Sequence, residues 1–160
     1  MAQEDQASEM QEQGVDAYRA GEYEEALEAF EQARNLSAEA GDREGEIEAL
    51  GSMGVVCGEL ERWDDAHRFL DQALDICEET EDQVNQGKVL GNLGMIYARQ
   101  GDEEKAAEAY ERAIAIFRDL GESGYEKDIA RQLSKLSPVS YTHLRAHETS
   151  SSISYAVFCL

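Results

Sequence analysis

Apolar and small side chains recur along this chain with one long period. Ala26, Ala66 and Ala106 stand 40 residues apart, as do Gly14, Gly54 and Gly94, and Ala33, Ala73 and Ala113. Three further sets keep the register: Phe30, Leu70 and Tyr110; Leu36, Ile76 and Ile116; Ala17, Cys57 and Tyr97. So do the breaks at Gly41–Asp42, Glu81–Asp82 and Gly121–Glu122. Self-similarity at a fixed spacing is the mark of a repeat architecture.

Each period predicts two helices. Val89, Leu90, Leu93, Ile96 and Tyr97 follow one another at helical steps, and Gly101–Asp102 then interrupts. Ala106, Tyr110, Ala113, Ile114 and Phe117 form a second helical face. The first unit breaks at Gly21–Glu22; the second has Glu61–Arg62 there and must turn without glycine. No stretch alternates with the two-residue period of a strand, so the expected class is all-α. Glycine inside a helix costs roughly 1 kcal/mol relative to alanine. Three such costs in register imply a shared need for close approach. The expectation is that Gly14, Gly54 and Gly94 face Ala26, Ala66 and Ala106, while Phe30, Leu70 and Tyr110 fill the space between neighbouring hairpins. A lone hairpin cannot bury its apolar stripe, whereas a stack of hairpins can, as a solenoid.

These residues resemble the tetratricopeptide repeat (TPR). Residues 14–36, GVDAYRAGEYEEALEAFEQARNL, and 90–116, LGNLGMIYARQGDEEKAAEAYERAIAI, match the family pattern nearly throughout; the second unit departs at Glu61 and at Leu70, where an aromatic is usual. The usual unit has 34 residues and a terminal proline. Here the period is 40, and Ala38, Glu78 and Arg118 stand in the proline places. In this the chain is similar to the long-repeat variety found in Partner-of-Inscuteable-like G-protein regulators and many prokaryotic regulators. The resemblance implies a right-handed α-α superhelix of three hairpins over residues 8–136, with units near 7–46, 47–86 and 87–123. A capping helix follows at 124–136, with Ala130 and Leu133 in register with Leu90 and Leu93. Residues 1–7 are expected to be frayed.

From Val139 the register stops. VSYTHLRAHET resembles one frame of a transposase sequencing adapter, and ISYAVFCL its downstream segment, with Ser150, Ser151 and Ser152 encoding a sample index between them. Residues 137–160 are therefore expected to be a non-native tail, and the gene-derived chain to be cut near Ser137. The metal-like pair His143 and His147 is set aside with it.

The 160 residues carry 35 acidic and 14 basic side chains, for a net charge of −21. That charge repels nucleic acid and anionic lipid. Mean hydropathy is −0.57, no apolar run is long enough for a membrane span, and the N-terminus lacks a signal peptide. A cytoplasmic site is the expectation. The acidity has two readings: steering of a basic partner peptide, or adaptation to salt, given 4 lysines against 24 glutamates. Cys57, Cys77 and Cys159 show no metal or disulfide spacing. Cys57 is expected in the core, Cys77 as a packed or half-exposed thiol, His67 on the outer face of a helix, and Trp63 at a hairpin turn. Carboxylate pairs such as Glu24–Glu25 and Asp64–Asp65 open helices where the dipole favours them. No catalytic residue, cofactor or metal is expected.

What the resemblance implies is binding in a concave groove lined by the first helix of each unit. The groove face then falls at Ser8, Gln11, Glu12, Val15, Tyr18 and Arg19; at Glu48, Gly51, Ser52, Val55 and Glu59; and at Lys88, Gly91, Asn92, Met95 and Arg99. The Asn92 amide could both donate to and accept from a peptide backbone. Lys88 and Arg99 make the third unit locally basic, suited to a carboxylate. Chaperone-adaptor members of the family clamp a terminal carboxylate with five side chains. The matching places here are Gln11, Val15, Ser52, Lys88 and Asn92, and Lys88 alone fits. The expected function is a non-catalytic module that holds a short peptide or helix. The alternative is a regulatory segment of a longer signalling enzyme or transcriptional regulator. A monomer is expected, with self-association through the open end of the array as the other outcome.

Overall fold

The computed structural model describes residues 2–136. They form α1 (Ala2–Ala20), α2 (Tyr23–Ala40), α3 (Arg43–Glu59), α4 (Trp63–Thr80), α5 (Gln83–Arg99), α6 (Glu103–Leu120) and α7 (Ser123–Ser134), with no strand among the described residues. The all-α reading of the periodicity therefore holds. The segment expected to be a tail, with His143, His147 and Cys159, lies outside the described residues.

Backbone chemistry ends each helix where the pattern breaks. Gly21 and Gly101 take φ of 78° and 84°, and Glu61, at the equivalent break, takes 56°. The second helices close on Gly41 and Gly121 at 71° and 74°, and on Glu81 at 54°. Each αL residue turns the chain through two residues into the next helix. Asp42, Asp82 and Asp102 then open α3, α5 and α6, accepting from Gly45 N (3.0 Å), Asn85 N (3.0 Å) and Lys105 N (3.1 Å). Each satisfies one of the free amides at a helix start. The opening pairs Glu24–Glu25 and Asp64–Asp65 lie inside the first turns of helices that have no side-chain cap bond.

The chain divides after Glu81 into two compact bodies. In the first, successive helices of α1–α4 pack together and α1 also meets α3. Ala26, Phe30, Met53 and Val56 form its core, with Val15, Tyr18, Tyr23, Leu27, Leu60 and Phe69 packed against them. In the second, α6 packs on both α5 and α7. Phe117 and Ile114 are fully buried there, and Phe117 stacks on Tyr125 with ring centroids 4.8 Å apart.

The register glycines serve a different contact from the expected one. Ala26, Ala66 and Ala106 are fully buried. The space left by each missing Cβ, however, is filled by the bulky residue of the same hairpin: Phe30 against Gly14, Leu70 against Gly54, Tyr110 against Gly94. A Cβ on Gly54 would lie 2.6 Å from Leu70 Cγ. The bulky residues thus lock the two helices of one hairpin. Gly87 repeats the arrangement with Phe117, whose Cζ would lie 2.6 Å from an added Cβ.

Three details differ from the expected layout. Helix α1 begins at Ala2, inside the segment expected to fray, and Ala7 is buried. The last helix runs from Ser123 to Ser134 rather than over 124–136. Its buried positions are Ile129 and Leu133, while Ala130 is exposed. The four-residue step from 129 to 133 puts both on one stripe, and that stripe turns Ala130 outward.

Two substitutions check this account. Gly54→Ala should lower unfolding free energy by roughly 1–3 kcal/mol, because Leu70 has nowhere to move. An unchanged urea midpoint would contradict the close approach. Glu81→Gly should raise stability by about 1 kcal/mol, since a non-glycine residue in αL carries a steric cost of that size. A lower midpoint would mean that the Glu81 side chain matters more than its backbone.

Candidate binding surface

In the first body, two hydrogen bonds join the facing sides of α1 and α3. Gln11 Nε2 donates to Ser52 Oγ at 3.1 Å, and Tyr18 OH donates to Glu59 Oε1 at 3.2 Å. Both link residues 41 apart in sequence, one period plus one residue. All four stand on the expected groove face, whose spacing marks them as lining residues and not as partners of one another. Val15 and Tyr18 are half-buried and Arg19 is exposed. Ser52 and Val55 are only 6% and 1% exposed, so they are closed positions rather than open groove walls. Nearly the whole of α3, from Glu46 to Gly58, is buried except Glu48. Helical spacing marks one stripe, and it could not foresee burial on every side.

In the second body, Lys88, Asn92, Met95 and Arg99 share one stripe of α5 through steps of four, three and four residues. Lys88 and Met95 are half-buried and Arg99 is exposed. Lys88 Nζ lies 5.3 Å from the centre of the Tyr125 ring, within the reach of a cation–π contact. Lys88 therefore already has an aromatic neighbour on α7, which its expected role as a carboxylate contact did not include. Asn92 is 4% exposed, and its Oδ1 is buried with no hydrogen-bond partner among the described residues. Asn85 is also buried, but its Nδ2 donates to Asp82 Oδ2 at 2.7 Å, within the cap of α5. The sequence alone does not separate these two asparagines.

The nucleophile candidates are packed away. Cys57 is fully buried and Cys77 is 1% exposed. Burial foremost, then the Asp65 charge, pushes the Cys57 thiol up to about 11 from its ordinary 9.0. His67 and Trp63 are half-buried on α4. Among the described residues no group of three or more His, Cys, Asp or Glu side chains is placed to hold a metal ion. No described helix is long and apolar enough to cross a membrane.

What the sequence missed as a cavity is a solvent-open pocket of about 370 Å³ lined by α1, α2 and the start of α3. Its walls include Gln11 and Glu12 from α1, Ser37 from α2, and Asp42, Glu44 and Gly45 at the α3 end. Ser8 and Glu48 also line it, and with Gln11 and Glu12 they belong to the expected groove face. Ser37 lies on α2 and gave no signal in the repeat pattern.

Compared with known families, the chain matches the tetratricopeptide repeat model over residues 6–79 and 69–119. Among curated proteins nothing matches it.

The Cys57 environment predicts a protected thiol. Alkylation at Cys57 in native protein at pH 8 should be far slower than in urea-unfolded protein, measured by peptide mass. Equal rates would contradict the packing. The neutral thiol is the form the fold favours, so its contribution is complete below pH 9 and is lost between about pH 9 and 11, where the unfolded thiol ionises and the native one still holds its proton.

Proposed function

The chain belongs to the tetratricopeptide repeat family, a family of protein-interaction scaffolds, and we propose that it is a non-catalytic module holding a short peptide or helix against the inner faces of its first helices. In the first body the contacts proposed are Val15, Tyr18 and Arg19, with the buried Ser52 and Val55 of the expected face behind them; in the second body they are Lys88, Asn92, Met95 and Arg99.

The observation that carries the reading is Asn92. Its carboxamide oxygen is buried without a partner. A buried acceptor left in that state costs about 1–3 kcal/mol. No buried network recovers that cost, in contrast to Asn85 and its cap. An incoming backbone N–H would supply the missing donor, and the amide nitrogen could serve a carbonyl of the same guest. Backbone contacts of this kind hold a segment without reading its side chains. The groups stand on helices, so little ordering is left for the receptor when a guest arrives.

The test separates binding from stability. Peptides selected from a random library on the wild-type chain should bind Asn92→Ala at least about tenfold more weakly, a loss of about 1.4 kcal/mol. Asn92→Leu should lose binding too, yet unfold at the same or higher urea concentration, because it removes the unpaired acceptor. Unchanged affinity in both variants, or binding lost only in step with stability, would overturn the proposal.

A further inference from the structure

The cavity between α1, α2 and α3 has an unusual chemical bias: its polar wall is made of acceptors. Asp42 uses Oδ1 to cap Gly45 N at 3.0 Å. Its Oδ2 and the Ser37 hydroxyl converge on the space where Gly45 has no side chain. Ser37 is 2% exposed, and its hydroxyl makes no hydrogen bond to a described residue. Gln11 spends its amide nitrogen on Ser52, and its Oε1 is buried with no partner among the described residues. Glu12 and Glu44 add two carboxylates at the rim. The amide end of α3 carries a partial positive charge, but Asp42 already answers it, and the cavity stays negative.

Several acceptors from three separate elements, with the Gln11 Oε1 buried and unpaired beside the buried Ser37, call for a guest rich in donors. A primary ammonium has three donors that rotate freely about the end of an alkyl stem. A guanidinium fork is planar and suits one flat acceptor pair rather than acceptors on three walls. Ala7 and Ala33 supply apolar wall for the stem. We propose that this cavity receives the side chain of a lysine carried by the bound partner, its ammonium seated among Ser37, Asp42 and Gln11. This rests on the reading of the chain as a peptide-binding module and adds a class of partner to it: a basic segment, in keeping with the net charge of −21.

The test uses Nα-acetyl-lysine methylamide, titrated into the ¹⁵N-labelled full chain at constant ionic strength. Saturable shifts are expected at the amides of Ser37 and Gly45. The uncharged Nα-acetyl-norleucine methylamide should produce none. Ser37→Ala and Glu44→Gln should each weaken the lysine mimic at least threefold while the rest of the spectrum is preserved. The exposed glutamates Glu24, Glu25, Glu28 and Glu31 on α2 act as an internal control, being an acidic surface without a buried polar group among them. Equal shifts there would reveal diffuse attraction and overturn the inference, as would binding of 1,4-diaminobutane without the lysine mimic. Library peptides that need Asn92 but leave Ser37 and Gly45 silent would overturn this inference alone. A lysine mimic that binds while no peptide is selected would support the cavity and overturn the peptide reading.

Discussion

Each hairpin depends on a missing Cβ, and the third hairpin on two. Where a helix crosses its partner, a large side chain lies where the Cβ of Gly14, Gly54, Gly94 or Gly87 would be. Dense packing leaves no slack at such a point, so side-chain volume on one helix is exchanged against backbone proximity on the other. The exchange explains why a residue unfavourable to helices sits mid-helix three times in register. It also explains why Phe30, Leu70 and Tyr110 can differ in shape while the glycine opposite does not change. The fully buried Ala26, Ala66 and Ala106 keep the surrounding wall thin.

The exterior follows from a second economy. Acidic side chains outnumber basic ones by more than two to one, so most carboxylates have no cation to meet. Some are placed where backbone supplies the counter-charge, as Asp42, Asp82 and Asp102 are at helix starts. Three arginines reach across elements: Arg62 meets Glu24 at 2.6 Å, Arg43 meets Glu79, and Arg118 meets Glu126 at 2.7 Å, while Arg43–Glu46, Arg68–Asp65 and Arg131–Asp128 lie within single helices. Such exposed pairs add little stability individually. What they leave behind is a chain with a net charge of −21.

Polar groups inside the bodies divide into two kinds. Asn85 and Ser52 are buried and paired, and they belong to the scaffold. Asn92 Oδ1 and Gln11 Oε1 are buried atoms without a partner among the described residues, and Ser37 is buried beside the latter. The Cys57 thiol, by contrast, is held neutral by burial.

The 40-residue period was legible because glycine, alanine and bulky residues recur at fixed offsets, and helical steps of three and four translate directly into faces. Hairpin order, the glycine-free turn at Glu61 and the core place of Cys57 all follow from local pattern. The partner of each glycine did not, since a missing side chain states that something comes close and not what comes. Nor did the burial of Val55 and Ser52, the aromatic neighbour of Lys88, or the unpaired oxygen of Asn92. Those depend on which atoms from distant segments arrive at one point. The cavity beside Ser37 is the plainest case: three elements contribute to it, no one of them carries a motif, and only the closing of α1, α2 and α3 around a bare glycine brings its acceptors together.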